Sequence, residues 1–290
     1  MSTRSNGTET LAQTNRKYWD AASEDTQQAA WVNDLYAQIG TFLMDPESSS
    51  WLGLPPPGEP QQKMLDYACG IGLPSRCLKP HFKLCVGMDV SAGMLAKYKN
   101  TASSLGLGTD EMLAVRGDLT AEPVETTDPP LPEEKLRNFD LIAICMALHH
   151  MEDIQRTITK LVERLRPGGT MLVIDWAQIN GATPAQKKLI KDVESGRVSI
   201  QDTKHNGHGH QHQHHSKQGD HQFMDPNDPS KPHPASHTIS HENFSEEQIL
   251  ELFEKAGCTE GRFKLAEELL EIPGSRVGKM QLFWARATKI

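Results

Sequence analysis

Five short apolar runs alternate with helical patterns between residues 63 and 176, and this alternation constrains the fold more than any other feature. The runs are MLDYAC, KLCVGMD, MLAVRGD, FDLIAICMA and TMLVIDW. Their apolar residues are nearly continuous, whereas a strand with one solvated face would alternate apolar and polar residues. Strands that are buried on both faces are typical of a parallel sheet covered by helices. The sequence therefore predicts an α/β fold.

Two helices are predicted after the fourth run. The segment DIQRTITKLVERLRPGG lies before the fifth run and ends at Pro167 and Gly168, which predict a turn. Toward the C-terminus, ENFSEEQILELFEKAGC offers Ser245 as an N-cap, Gln248 as its capping-box partner and Gly257 as a terminator. The runs FKLAEELLEI and KMQLFWARAT then complete a predicted mostly parallel, seven-stranded sheet with helices on both faces.

Composition divides the chain into four predicted regions. Residues 1–60 are interpreted as an N-terminal helical flap followed by a Pro-rich linker, ESSSWLGLPPPGEPQQ, without regular structure. Residues 61–180 form the predicted core. Residues 181–240 are rich in His, Gly, Pro and Gln and poor in apolar residues, so a mostly disordered insert is predicted there. Residues 241–290 complete the core.

Charge and cysteine content narrow the function classes. The 290-residue chain has a formal net charge of -8, which disfavours a nucleic-acid partner, because such binding depends on clustered Lys and Arg. Its five cysteines match no paired zinc pattern, so reduced thiols and a cytoplasmic location are expected. The polar start MSTRSNGTET and the lack of a long apolar run predict a soluble protein without a membrane partner. The oligomeric state is left open.

The stretch LDYACGIG predicts a ligand-binding loop after the first strand. Ala68, Gly70 and Gly72 are small enough to let a ligand approach the backbone closely. A dinucleotide loop would have a third glycine, which is missing here, so a nicotinamide oxidoreductase is disfavoured. Asp66 precedes the loop and suits a ligand that carries an ammonium group better than a diphosphate.

Five motifs in order then resemble class I S-adenosylmethionine (SAM) dependent methyltransferases. LDYACGIGLPSRCL resembles motif I of that family, and the others are VGMDVSAGML, RGDL, FDLIAICMALHHMED and LRPGGTMLVIDW. Their order and spacing are similar to the small-molecule branch that includes ubiquinone-pathway-like enzymes, and the sequence looks most like fungal members. The resemblance implies a Rossmann-like fold, SAM as cofactor and S-adenosylhomocysteine (SAH) as product.

The resemblance also implies which residues bind the cofactor. Asp89 would accept hydrogen bonds from both ribose hydroxyls of SAM, and Asp118 would meet the adenine amino group. The full implied set is Asp66, Ala68, Gly70, Gly72, Asp89, Val90, Met94, Asp118, Leu119 and Cys145.

Other candidates belong to the acceptor side of the site. His149 and His150 follow the fourth strand, where either is a candidate base or a group that positions the loop. Trp176 either lines the acceptor pocket or packs in the core. Tyr18 and Trp19 either close over the sulfonium or pack the flap.

The main hypothesis is a SAM-dependent methyltransferase that transfers a methyl group to O, S or N of a small-molecule acceptor by in-line displacement. A protein methyltransferase or a methyltransferase-like regulatory interaction protein is the alternative. Ten of the thirteen histidines fall between His205 and His241. Their imidazoles could collect Zn or Ni, but flexible glycines and irregular spacing predict no required metal.

Overall fold

The computed structural model describes most of the chain outside its N-terminus and the His-rich insert. The described residues are 10–23, 30–54, 61–124, 126–178, 224–225, 228–232, 235–273 and 279–290. Their helices are α1 (Leu11–Ala22), α2 (Ala30–Met44), α3 (Pro46–Leu52), α4 (Leu73–Leu78), α5 (Ala92–Ser104), α6 (Ile154–Arg164) and α7 (Glu246–Lys255). Among these described residues, no helix is long and apolar enough to cross a membrane.

Ten strands are present in the described residues. They are β1 (Gln61–Tyr67), β2 (Phe82–Asp89), β3 (Met112–Gly117), β4 (Thr126–Thr127), β5 (Phe139–Cys145), β6 (Leu165–Trp176), β7 (Met224–Asp225), β8 (Asp228–Pro232), β9 (Cys258–Glu271) and β10 (Lys279–Lys289). Eight of them form one sheet in the order β4-β3-β2-β1-β5-β6-β10-β9. Strands β3, β2, β1, β5 and β6 run parallel, while β10 lies antiparallel between β6 and β9.

Both faces of the sheet are buried, as the continuous apolar runs predict. Met64 and Leu172 belong to an apolar cluster that contains residues of α2 to α5, whereas their neighbours Leu65 and Val173 belong to a second cluster with α6 and α7. Successive side chains of a strand point to opposite faces, so an uninterrupted apolar run supplies both clusters. The predicted α/β class with a Rossmann-like layer plan is confirmed.

The sheet has one strand more than the seven predicted. The additional strand, β4, contains only two residues and pairs antiparallel with the end of β3 at the sheet edge. A two-residue segment within ETTDPP shows no period that a pattern search can detect. Strand β6 also begins earlier than predicted, directly after α6. The expected turn is nevertheless visible as a register shift opposite Phe139 and Leu141, with Gly168 at a φ of 71°.

The predicted linker is wrong over its first part, because Pro46–Leu52 is the helix α3. Asp45 caps this helix by accepting a hydrogen bond from the Ser48 amide, and Pro46 fits the first turn because it needs no donor there. Gly53 ends the helix in a left-handed conformation at a φ of 74°. Residues 55–60, which hold the proline run, lie outside the described residues.

Most of the predicted disordered insert also lies outside the described residues, but the paired strands β7 and β8 and the last part of the insert do not. Residues 235–240 include the short 3-10 turn Ser236–Thr238, and they contact the loop that follows β5. The amides of Ser240 and His241 both donate to the carbonyl of His149, at 2.9 and 3.2 Å. We call residues 235–241 the clamp. The expectation of disorder is wrong for this part, because its backbone is hydrogen-bonded to the core.

Candidate active site

The candidate site lies at one edge of the sheet, where the parallel strands have their carboxyl ends. Because β1, β2, β3, β5 and β6 run the same way, the loops after them gather at this edge. Ligands of open α/β sheets bind at this edge. The clamp and helix α1 approach the same loops from outside the sheet.

The glycine loop after β1 combines close packing with open space. Ala68, Gly70 and Gly72 all have positive φ angles, of 53°, 49° and 80°. A Cβ atom on Gly72 would lie 2.6 Å from the ring of Tyr98, so only glycine fits there. A Cβ atom on Gly70 would meet no atom within 4 Å. The loop therefore leaves room beside Gly70, as a ligand that approaches the backbone requires.

Asp89 ends β2 and faces this loop. Its Oδ2 accepts from the Gly70 amide at 3.0 Å and its Oδ1 accepts from the Ser91 amide at 2.9 Å. Only 8% of the residue is exposed. Burial raises the pKa of the Asp89 carboxyl, although the two amides partly oppose this effect. Each carboxylate oxygen can accept another hydrogen bond, so Asp89 fits the predicted role toward a ribose.

Asp118, after β3, is also fixed by hydrogen bonds. Its Oδ1 accepts from the Tyr67 hydroxyl at 2.8 Å and from the amide and hydroxyl of Thr120 at 2.8 and 2.7 Å. Burial and the neighbouring Asp118 charge raise the pKa of Tyr67 well above its usual value, so this phenol stays protonated and donates. Leu119 is completely buried beside them.

Asp66 connects β1 to the start of α4. Its Oδ2 accepts from the amide and the hydroxyl of Ser75 at 3.0 and 2.8 Å, and the Tyr98 hydroxyl donates to that same Ser75 hydroxyl at 3.0 Å. Burial raises the pKa of Asp66 to about 7, despite the hydrogen bonds from Ser75. The carboxyl group thus holds the glycine loop against α4, in addition to any contact with a cation.

We expect the stability of the ligand-free protein to depend on pH through Asp66. Its pKa is raised to about 7 in the fold, from an ordinary value of about 4. The folded protein therefore retains a proton that the unfolded chain loses, and the associated stability is lost as the pH rises toward the folded pKa. Urea unfolding of wild type and Asp66→Asn should show the free energy of unfolding of wild type falling relative to the variant between about pH 4 and about pH 7. A constant difference would contradict this.

His149 and Asp175 form a buried pair between the ends of β5 and β6. The Nδ1 atom of His149 lies 2.7 Å from Oδ1 of Asp175, and the His149 amide donates to Oδ2 at 3.2 Å. Asp175 is completely buried, and its Oδ1 also accepts from the Trp176 amide at 2.8 Å. A carboxylate beside Nδ1 places the proton of a neutral imidazole on that nitrogen. Nε2 is then a free base, and no described residue is hydrogen-bonded to it.

His150 has a different environment. Its Nδ1 lies 2.9 Å from the Thr238 carbonyl in the clamp, and its ring lies 4.0 Å from that of His149. A carbonyl can only accept, so Nδ1 carries the proton here too. Burial and the neighbouring His149 lower the pKa of His150 well below its usual value, so it remains neutral. Of the two candidate bases, only His149 has a carboxylate that can stabilise the protonated ring.

Helix α1 covers the loop after β5 that contains His149 and His150, which we call the histidine loop. The Asn15 side chain donates to the His150 carbonyl at 3.2 Å, and the Trp19 ring meets the His150 ring edge-on at 5.3 Å. Tyr18 contacts Trp19 and His237 in the same manner. The Oδ1 atom of Asn15 is buried and accepts no hydrogen bond from the described residues.

The remaining candidates lie around this centre. Met94 and Cys145 are partly buried, and Val90 accepts a hydrogen bond from Arg116 through its carbonyl. Trp176 is 4% exposed and packs in the apolar core cluster of α2 to α5. Burial raises the pKa of the Cys145 thiol well above its usual value, so it remains protonated.

Sequence reasoning missed three contributors to the site. Asp175 had a detectable signal, since it is an acid at the end of an apolar strand in LVIDW. Asp20 and Thr238 had no detectable signal in the sequence, because their hydrogen-bond partners lie more than 70 positions away. Within the described part of the chain, no group of three or more His, Cys, Asp or Glu could hold a metal ion. The tract from His205 to His221 lies outside that part.

Comparison with known proteins defines the class of this core. Residues 65–173 match a family model described as "Methyltransferase domain". The chain is also similar to a solved structure, the magnesium protoporphyrin IX methyltransferase (ChlM) of Synechocystis PCC 6803 with bound SAM. The two share a TM-score of 0.56 and 13% identity over 99% of this chain and 100% of that one, which shows a shared fold. Residues 65–173 are thus similar to a methyltransferase domain, and the chain shares its fold with a methyltransferase whose structure contains bound SAM.

Two curated relatives are similar to the same region. The chain is 34% identical over 113 residues to "Uncharacterized methyltransferase C1347.09" of Schizosaccharomyces pombe, covering 39% of this chain and 38% of the relative. It is 27% identical over 108 residues to "Ubiquinone biosynthesis O-methyltransferase" of Coxiella burnetii, covering 37% and 41%. The matches thus span about two fifths of the length of these relatives.

Proposed function

We propose that this protein is a SAM-dependent methyltransferase that methylates a hydroxyl group of a small-molecule acceptor, with His149 as the general base. The observation that carries the proposal is the buried His149–Asp175 pair at the edge of the sheet that also holds the glycine loop and Asp89. A hydroxyl group needs a base to become a good nucleophile, whereas a neutral amine does not. The pair therefore favours an oxygen acceptor over nitrogen or sulfur.

In the proposed reaction, the chain binds SAM and removes the proton of the acceptor hydroxyl. When bound, SAM supplies an electrophilic methyl group and leaves as SAH. Asp89 and the glycine loop hold the ribose, while Asp118 holds the adenine. His149 Nε2 would take the proton of the acceptor hydroxyl, which makes the hydroxyl oxygen a stronger nucleophile, and Asp175 would stabilise the resulting imidazolium. The loops must align the reacting atoms at about 3 to 3.5 Å and keep water out.

His150 and α1 shape the acceptor side in this proposal. His150 remains neutral and keeps the loop attached to the clamp through the Thr238 carbonyl. The buried Oδ1 of Asn15 would accept a hydrogen bond from the bound acceptor, which favours compounds that carry hydroxyl or amine donors. The similarity to a relative named as an O-methyltransferase also supports oxygen as the methylated atom.

The test is incubation of the protein with methyl-labelled SAM and a fractionated small-molecule extract, followed by mass spectrometry of the labelled products. We expect a labelled methyl ether, and a parallel incubation with a protein extract should remain unlabelled. Labelled protein and no labelled small molecule would overturn the proposal in favour of a protein methyltransferase. Failure to bind SAH in calorimetry would overturn the cofactor assignment itself.

A further inference from the structure

The last turn of α1 is hydrogen-bonded to the cofactor side of the site. Oδ1 of Asp20 accepts from the Ser91 hydroxyl at 2.7 Å and from the Gly93 amide at 3.2 Å. Ser91 is the N-cap of α5, and its hydroxyl accepts from the Met94 amide at 3.1 Å. Its own amide donates to Asp89. A continuous chain of hydrogen bonds therefore runs from Asp20 through Ser91 to Asp89 and on to Gly70.

The packing of α1 against α5 is close as well as polar. A Cβ atom on Gly93 would lie 1.9 Å from the hydroxyl oxygen of Ser23 and 2.8 Å from its Cβ. The Ser23 hydroxyl in turn donates to the Asp20 carbonyl at 2.7 Å. Glycine at position 93 is thus what lets the end of α1 reach Ser91, since any other residue would displace it.

Asp20 is charged in this position, and its negative charge repels the carboxylate of Asp89. Burial acts to raise the pKa of Asp20. Hydrogen bonds from Ser91 and Gly93 oppose this effect, as do the positive charges of Arg116 and Arg16, and together they hold the pKa below its usual value. Its charge in turn contributes to raising the pKa of Asp89. The repulsion between the two carboxylates is unfavourable, and at Asp20 it is opposed by the hydrogen bonds from Ser91 and Gly93.

We propose that Asp20 is a positioning residue for cofactor binding, which orients the carboxylate of Asp89 toward the ribose through Ser91. The proposal rests on the proposed function, because it takes SAM as the ligand of Asp89. Through the same helix, Asn15 and Trp19 contact the histidine loop. Helix α1 therefore positions residues on both the cofactor side and the acceptor side of the site when it packs against the core.

Two independent routes test this with SAH as the probe. Asp20→Ala removes the carboxylate that accepts hydrogen bonds from Ser91 and Gly93, and it should raise the dissociation constant of SAH about tenfold. Asp20→Asn keeps an oxygen at the Oδ1 position, so it should stay within about threefold of wild type. Gly93→Ala should weaken SAH binding as Asp20→Ala does, because the added methyl group displaces Ser23. Adding Ser23→Gly to Gly93→Ala removes that clash and should restore binding.

Calorimetry with SAH and melting curves without ligand distinguish the outcomes. A merely structural Asp20 would lower the melting temperature and leave the SAH affinity of the folded protein unchanged, which would overturn the proposal. Should Asp20→Ala fail to fold, Gly93→Ala and its rescue by Ser23→Gly decide the matter. If rescue fails, or if Gly93→Ala binds SAH normally, the proposal is wrong. Absence of SAH binding in wild type would instead show that the proposed function is wrong.

Discussion

Replacing His149 by Gln is expected to slow methyl transfer by about a hundredfold or more, with SAH affinity within about twofold of wild type. The imidazole has its Nδ1 against Asp175 and its Nε2 available as a base. Glutamine can donate and accept hydrogen bonds but cannot take a proton at neutral pH. Single-turnover rates with methyl-labelled SAM and the acceptor identified from the labelled product report the loss in rate, and calorimetry with SAH reports the binding affinity.

Two further variants sharpen this test. Asp175→Asn removes the charge that stabilises the protonated ring, so it should reproduce most of the loss in rate. His150→Gln is the matched control, because His150 has a carbonyl rather than a carboxylate at Nδ1 and should mainly affect thermal stability. A near-normal single-turnover rate in folded His149→Gln would rule out this residue as the base.

Replacing Asp89 by Ala is expected to weaken SAH binding by about 2 to 4 kcal/mol, or about 30-fold to 1000-fold in the dissociation constant. The substitution removes charge-assisted hydrogen bonds to the ribose in a buried site. It also leaves the amides of Gly70 and Ser91 without their acceptor. Calorimetry with SAH on the folded variant measures the loss.

Asp45→Ala is the matched control for Asp89→Ala. Asp45 also accepts from a backbone amide, that of Ser48, but it caps α3 and lies outside the candidate site. Its replacement should lower the melting temperature and leave the SAH affinity unchanged. Equal SAH affinity in wild type and folded Asp89→Ala would contradict the cofactor assignment at this position.

The sequence predicts the sheet well because the signal is local. Continuous apolar runs identify strands buried on both faces, and the glycine loop lies where the first of them ends. The role of Asp89 toward a ribose was implied by the resemblance to methyltransferases and not by the strand pattern. The choice between His149 and His150 could not be made from sequence. It depends on the groups beside each Nδ1, which are Asp175 and the Thr238 carbonyl. The second of these is a backbone atom that leaves no trace in composition.

The insert and the linker were predicted incorrectly because both were assigned from composition. Composition assigned residues 181–240 to one disordered insert, yet Ser240 is fixed by the main-chain carbonyls of His149 and Met151. Helix α3 was hidden because the prolines and glycines that follow it dominated the interpretation of the linker, although Asp45 and Pro46 are a recognisable helix start.

The long-range contacts of the histidine loop have a consequence for the order of folding. Asn15 contacts this loop across 135 positions in sequence, and Thr238 contacts it across 88. Contacts that close such long loops form slowly, because the chain must lose much conformational entropy before they are made. The pairings of β1 with β2 and of β2 with β3 span fewer than 30 positions, so we expect this part of the sheet to form before the loop becomes ordered. A refolding protein should therefore regain its secondary structure before it regains turnover.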